Sequence, residues 1–182
     1  MTNKKIFVII DLESEEWKMA KIKGKKAFTK VINDFVSQFG LTAKFGKEFQ
    51  AVPEKNRVDF TLAEKEELIN EFMVNAEMRF PQIHAHPFIW LLLHEVGHMQ
   101  TIDFFTIPEQ CRFNDKKKDL YETLNTEDYS LVSEWYQLLP DEYMATLWAG
   151  TYMIEHEKEV AKFNKKLNKA MAKFCKKNAI AP

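Results

Sequence analysis

Pro87-Phe88-Ile89-Trp90-Leu91-Leu92-Leu93-His94-Glu95-Val96-Gly97-His98 is the stretch on which the reading of this chain turns. Proline suits the first turn of a helix, where its missing N–H costs nothing. The six apolar residues after Pro87 run straight into an H-E-x-x-H sequence, so the helix is expected to be buried and to end near Gln100 or Thr101. At 3.6 residues per turn, histidines four apart stand one above the other on a single face. Two imidazole nitrogens can then reach one metal ion, with Glu95 placed to handle the proton of a water beside it. Burying both rings unpartnered would cost a few kcal/mol, and a metal satisfies both together.

Catalytic zinc usually takes three protein ligands and leaves a fourth position open. Asp103, five residues past His98, is the nearest candidate for the third. A metzincin would need Gly three residues after the second histidine and a ligand six after it. Thr101 and Phe104 occupy those positions, which excludes that arrangement. The better candidate is Glu142, in Leu139-Pro140-Asp141-Glu142-Tyr143-Met144-Ala145-Thr146-Leu147-Trp148-Ala149. Pro140 suits a helix start, and Asp141 and Glu142 suit its positive end. Ala145 and Ala149 share the face of Glu142 and are small enough to let this helix approach the histidine helix closely.

With the H-E-x-x-H helix followed some forty residues later by E-x-x-A-x-x-W-A, the segment from about residue 85 to 153 resembles the compact gluzincin metallopeptidases. It is most similar to the ImmA/IrrE type, common in bacteria, phages and mobile elements. The resemblance implies a zincin-like fold, zinc held by His94, His98 and Glu142, and Glu95 as general base. That pattern commonly carries Asp or Asn four residues after the third ligand, bonded to the first histidine. Here the position is Thr146, whose hydroxyl can still accept from the ring of His94 but lends it less basicity than a carboxylate.

The 182 residues are enough for one domain with a substantial core. Twenty-six basic against twenty-seven acidic residues set up no overall field for nucleic acid or membrane. Cys111 and Cys175 have no C-x-x-C spacing and fit a reducing compartment as packing residues. The start, Lys4 to Ile10, mimics a signal peptide but meets Asp11 and Glu13 too soon for one. Phe88 to Leu93 is too short to span a bilayer. The expectation is a cytoplasmic protein of one domain, with a strand-and-helix part over 1–62 and a helical part over 63–182.

Ile6 to Leu12 reads as a strand, and Ala27 to Phe39 as a helix ended by Gly40. Short strands are expected between Thr42 and Thr61 around a turn at Pro53 to Asn56, then a helix from about Ala63 to Phe80. The segment Asp103 to Asp119 reads as irregular, with a solvated Lys116-Lys117-Lys118 run. Helices follow from Glu127 to Leu138 and from Pro140 onward. The fold class is α+β, mostly helical, with a small N-terminal sheet. Val160, Phe163, Leu167, Met171 and Phe174 form an apolar stripe near the C-terminus, expected to pack on the domain while seven lysines solvate the rest.

His84 and His86 are expected to be loop or cap residues, and His156, about 21 Å along the helix from Glu142, cannot share its metal. Tyr129, Tyr136 and Tyr143 all qualify as oxyanion partners. The expected function is hydrolysis of a protein or peptide substrate by a zinc metallopeptidase. The alternatives are a zinc-containing regulatory or partner-binding protein with little turnover, and a nucleic-acid- or membrane-binding protein using the C-terminal lysines.

Overall fold

A computed structural model describes residues 24–62, 66–124 and 129–178. The expected strand at Ile6 to Leu12 lies outside them. Seven helices and three strands are found among the described residues: α1 Lys25–Val36, β1 Thr42–Phe45, β2 Gln50–Val52, β3 Arg57–Phe60, α2 Glu66–Arg79, α3 Pro87–Thr101, α4 Ile107–Leu124, α5 Tyr129–Gln137, α6 Pro140–Glu155 and α7 Glu157–Asn178. The class is α+β and mostly helical, as the patterning predicts. The chain divides into two compact units, one built from the chain up to Glu66 together with the segment from Lys158, the other from Glu67 to Glu157.

In the first unit, α1 passes into a short 3-10 turn and stops at Gly40, whose φ of 75° is open to glycine without strain. The sheet has the order β1-β3-β2, with β1 parallel and β2 antiparallel to β3. Asn56 (φ 45°) closes the β2–β3 turn after Pro53, a left-handed position that asparagine tolerates. Val52, Val58 and Phe60 turn inward. The side chain of Asn33 accepts the Ala43 N–H at 2.9 Å, satisfying a donor on the β1 edge.

α7 completes this core. Phe163 stacks on Phe35 with centroids 3.9 Å apart, and Phe174 packs on Phe28 at 5.6 Å. Val160, Phe163, Leu167 and Phe174 are buried at the i, i+3, i+4 spacing of one helical face, so the apolar stripe packs as expected. Met171 is only half-buried, and Cys175 is buried in addition.

The second unit centres on α3. Ile89, Trp90, Leu92, Leu93 and Val96 are fully buried, each contributing about 1.5–3 kcal/mol of burial free energy. Phe72 of α2 meets the rings of Trp90 and His94 edge-on. Phe80 fills the space over Gly150 of α6, where any Cβ would strike its ring.

Two expectations fail here. Residues 107–124 are helical, not irregular. Pro108 sits in the first turn of α4, where it breaks no hydrogen bond. Ahead of it, the carbonyl of Thr106 accepts from the backbone N–H groups of Glu109 and Gln110. The Glu109 carboxylate in turn accepts from both the backbone N–H and the hydroxyl of Thr106. That reciprocal cap starts a helix the sequence reading took for a loop. Nor does α6 run on to the C-terminus, because the helix breaks at His156 before α7 begins.

Candidate metal centre

α3 begins with His86 as its cap, whose Nδ1 accepts the Phe88 N–H at 3.1 Å, and with Pro87 in its first turn. α6 begins with Pro140, which puts Asp141 and Glu142 in its first turn, at the positive end of the helix dipole. The two helices make the most extensive contact between elements among the described residues. Gly97, between the two histidines, permits it. A Cβ there would fall onto the Ala145 carbonyl oxygen and 2.9 Å from the Ala145 Cα. Ala145 and Ala149 are fully buried, so the small face expected on α6 is the face that meets α3.

This close approach brings His94, His98 and Glu142 together. His94 Nε2 lies 3.0 Å from Glu142 Oε2 and 3.1 Å from His98 Nε2, while His98 Nε2 lies 3.4 Å from Glu142 Oε1. Side-chain exposure is 5% for His94, 17% for His98 and 3% for Glu142. Thr146, one turn beyond Glu142 and fully buried, sets its hydroxyl 3.1 Å from His94 Nδ1. With Nδ1–H donating to that oxygen, Nε2 presents a lone pair toward Glu142 and His98.

Three ligand atoms this close leave a place where a cation could sit between them. Tetrahedral zinc at about 2.0–2.1 Å from each ligand sets its donors about 3.3 Å apart. The separations here are of that size without rearrangement, so these three residues could hold a metal ion.

The three groups also act on one another through their charges. Burial alone would raise the Glu142 carboxyl, but the His98 and His94 rings outweigh it and hold the group well below the ordinary carboxylate range. Burial likewise disfavours the His98 imidazolium, and the charge of Glu142, helped by Glu95, reverses the balance and raises it. Glu95 is half-buried and close enough to His98 to act on it through its charge.

Lys117 departs furthest from expectation. It does not belong to a solvated run: its Nζ lies 2.5 Å from Asp141 Oδ2 and 2.5 Å from Glu142 Oε1, with 18% of the side chain exposed. Burial works against its charge, and the Glu142 and Asp141 carboxylates more than offset that, raising it above the usual lysine value. In a helix, successive side chains point about 100° apart, so Lys116 and Lys118 are exposed while Lys117 is not. The sequence signal for this would have been the helix itself, and the Thr106–Glu109 pair was its only marker.

Other candidates fall elsewhere. Asp103 is exposed and no part of the donor cluster. His156 stacks on Tyr152 at 4.3 Å, and His84 is exposed. Tyr143 is 41% exposed and carries the Arg79 guanidinium 4.7 Å over its ring. Tyr136 faces Lys117 Nζ with its ring centroid 5.6 Å away, and the Tyr129 side chain lies outside the described ones. Against known proteins, the chain matches no family model, no curated protein and no solved structure. No helix among the described residues is long and apolar enough to cross a membrane.

Proposed function

We propose that the chain is a zinc metallopeptidase of the compact gluzincin, ImmA/IrrE-like kind, acting on a protein or peptide substrate. The observation carrying this reading is the buried triangle of His94 Nε2, His98 Nε2 and a Glu142 oxygen, at separations a tetrahedral ion needs. Zinc bound there would polarise a scissile carbonyl and lower the pKa of a water to about 7.

The protein's own part is orientation and proton transfer. Thr146 holds His94 in the tautomer that leaves Nε2 free to bind. Gly97 and Ala145 set the helix spacing that brings Glu142 to both rings. Glu95, next to His94 in the chain and within electrostatic reach of His98, accepts a proton from the attacking water on its carboxylate and delivers it to the departing amine nitrogen.

Two measurements test this. Purified protein should carry about one zinc per chain, lost from a His94→Ala, His98→Ala double variant. Glu95→Gln should retain that zinc and the fold but lose peptide-bond hydrolysis by about 10²- to 10⁴-fold, read as new amino termini in an unfolded protein substrate. Zinc-loaded wild type without turnover would favour the zinc-containing regulatory protein instead. Activity in Glu95→Gln within a few-fold of wild type would remove Glu95 as the base.

A further inference from the structure

Lys117 has no part in the mechanism above, yet its ammonium touches a carboxylate that faces both histidines. Its Nζ is 2.5 Å from Glu142 Oε1, the oxygen that lies 3.4 Å from His98 Nε2. Glu142 Oε2 faces His94 at 3.0 Å. One carboxylate is therefore divided between an ammonium group and the space where a metal would sit. Lys117 also has a second anchor, Asp141 Oδ2, and the other oxygen of that aspartate is buried with no hydrogen-bond partner among the described residues. An ammonium pushed away from Glu142 thus has somewhere to go without leaving the site.

We propose that Lys117 is an internal counter-ion that sets how tightly the His94–His98–Glu142 centre takes a divalent cation, competing with the metal for Glu142 and retiring onto Asp141 when the metal binds. The proposal rests on reading those three residues as a metal site. Two effects give it direction. Two cations sharing one carboxylate in a poorly screened pocket repel each other, which weakens metal binding. Before metal arrives, the same ammonium compensates the buried carboxylate of Glu142 and the half-buried one of its chain neighbour Asp141, which would otherwise repel one another, and so steadies the empty centre.

A role in merely orienting Glu142 predicts the opposite sign, since losing a positioning contact loosens a metal, commonly by 10- to 100-fold. The two are separated by zinc titration of the full chain against a competing chelator, at one fixed neutral pH. Lys117→Met and Lys117→Gln should both bind zinc about tenfold or more tighter than wild type, the Gln variant because it can still donate a hydrogen bond but carries no charge. Lys117→Arg should stay within about threefold of wild type. Asp141→Asn, which leaves Lys117 on Glu142 alone, should bind zinc more weakly, and this variant carries the test if the Lys117 variants do not fold. Zinc binding by wild type with no tightening in either neutral variant, or with no weakening in Asp141→Asn, would overturn the counter-ion role while leaving the metal site standing. Absence of zinc binding from wild type and from every variant would overturn the metal reading itself.

Discussion

A methyl group added at Gly97 would land on the backbone of Ala145, with nothing flexible to move aside. Alanine is the better helix former by about 1 kcal/mol, whereas forcing extra volume into a packed core costs about 1–3 kcal/mol. Because the obstacle is backbone, the second effect wins: Gly97→Ala should lower the melting temperature and weaken zinc binding together, as α6 is pushed off α3. Thr146 gives a second case. Thr146→Val keeps the shape but cannot accept from His94 Nδ1, and should weaken zinc binding by about 10- to 100-fold in chelator competition. Identical dissociation constants would reduce Thr146 to packing. At this scale the sequence was most legible where spacing speaks directly, at His94, His98, Glu142 and Thr146, which fall one helical turn apart in two pairs. It was least legible at Gly97 and Lys117. A glycine in a helix reads only as a propensity cost, and a lysine among lysines reads as solvated until the helix phase is known.

Among the elements, a continuous apolar stripe or run was the most legible signal. α1 and the stripe of α7 bury one face each and were readable, though the break at His156 was not, and α3 was readable from its apolar run between Pro87 and His98. α4 was missed because it is polar along most of its length and rests on a cap rather than a stripe. In that cap the Glu109 carboxyl sits below its ordinary value of 4.5, chiefly through the Thr106 hydroxyl and backbone N–H. A carboxyl lowered on folding stabilises the folded state above its unfolded pKa, and the contribution is lost as pH falls through the lower folded value. Amides in the first turn of α4 should therefore exchange faster in Glu109→Gln than in wild type at neutral pH. The difference should begin to shrink below about pH 4.5, where the carboxyl of the opened cap starts to protonate, and vanish once pH falls through the lower value of the folded state. A difference that persists undiminished in acid would mean the charge has no part in the cap.

At the scale of the whole molecule, the residues of the proposed chemistry all belong to the 67–157 unit, and the aromatic packing of α7 belongs to the other. Removing the Phe163 ring, stacked on Phe35 at 3.9 Å, should cost about 3–5 kcal/mol in the first unit. Zinc affinity in the second should change little in Phe163→Ala, so calorimetry and metal titration would report on different units. A matching loss in both would show that they stand or fall together. Membership of α7 in the first unit was invisible to local patterning, because a stripe on a helix says that it packs and not on what. The division of labour also has a consequence for how the protein is made. Synthesis runs from the N-terminus, and domains generally fold as they emerge. The 67–157 segment can close as soon as residue 157 is free of the ribosome, whereas Phe28 and Phe35 must wait for a helix translated after it. A nascent chain halted just after residue 157 would already hold all three proposed metal donors while Phe28 and Phe35 still lacked their partners on α7, a stage at which a chaperone has apolar surface to cover.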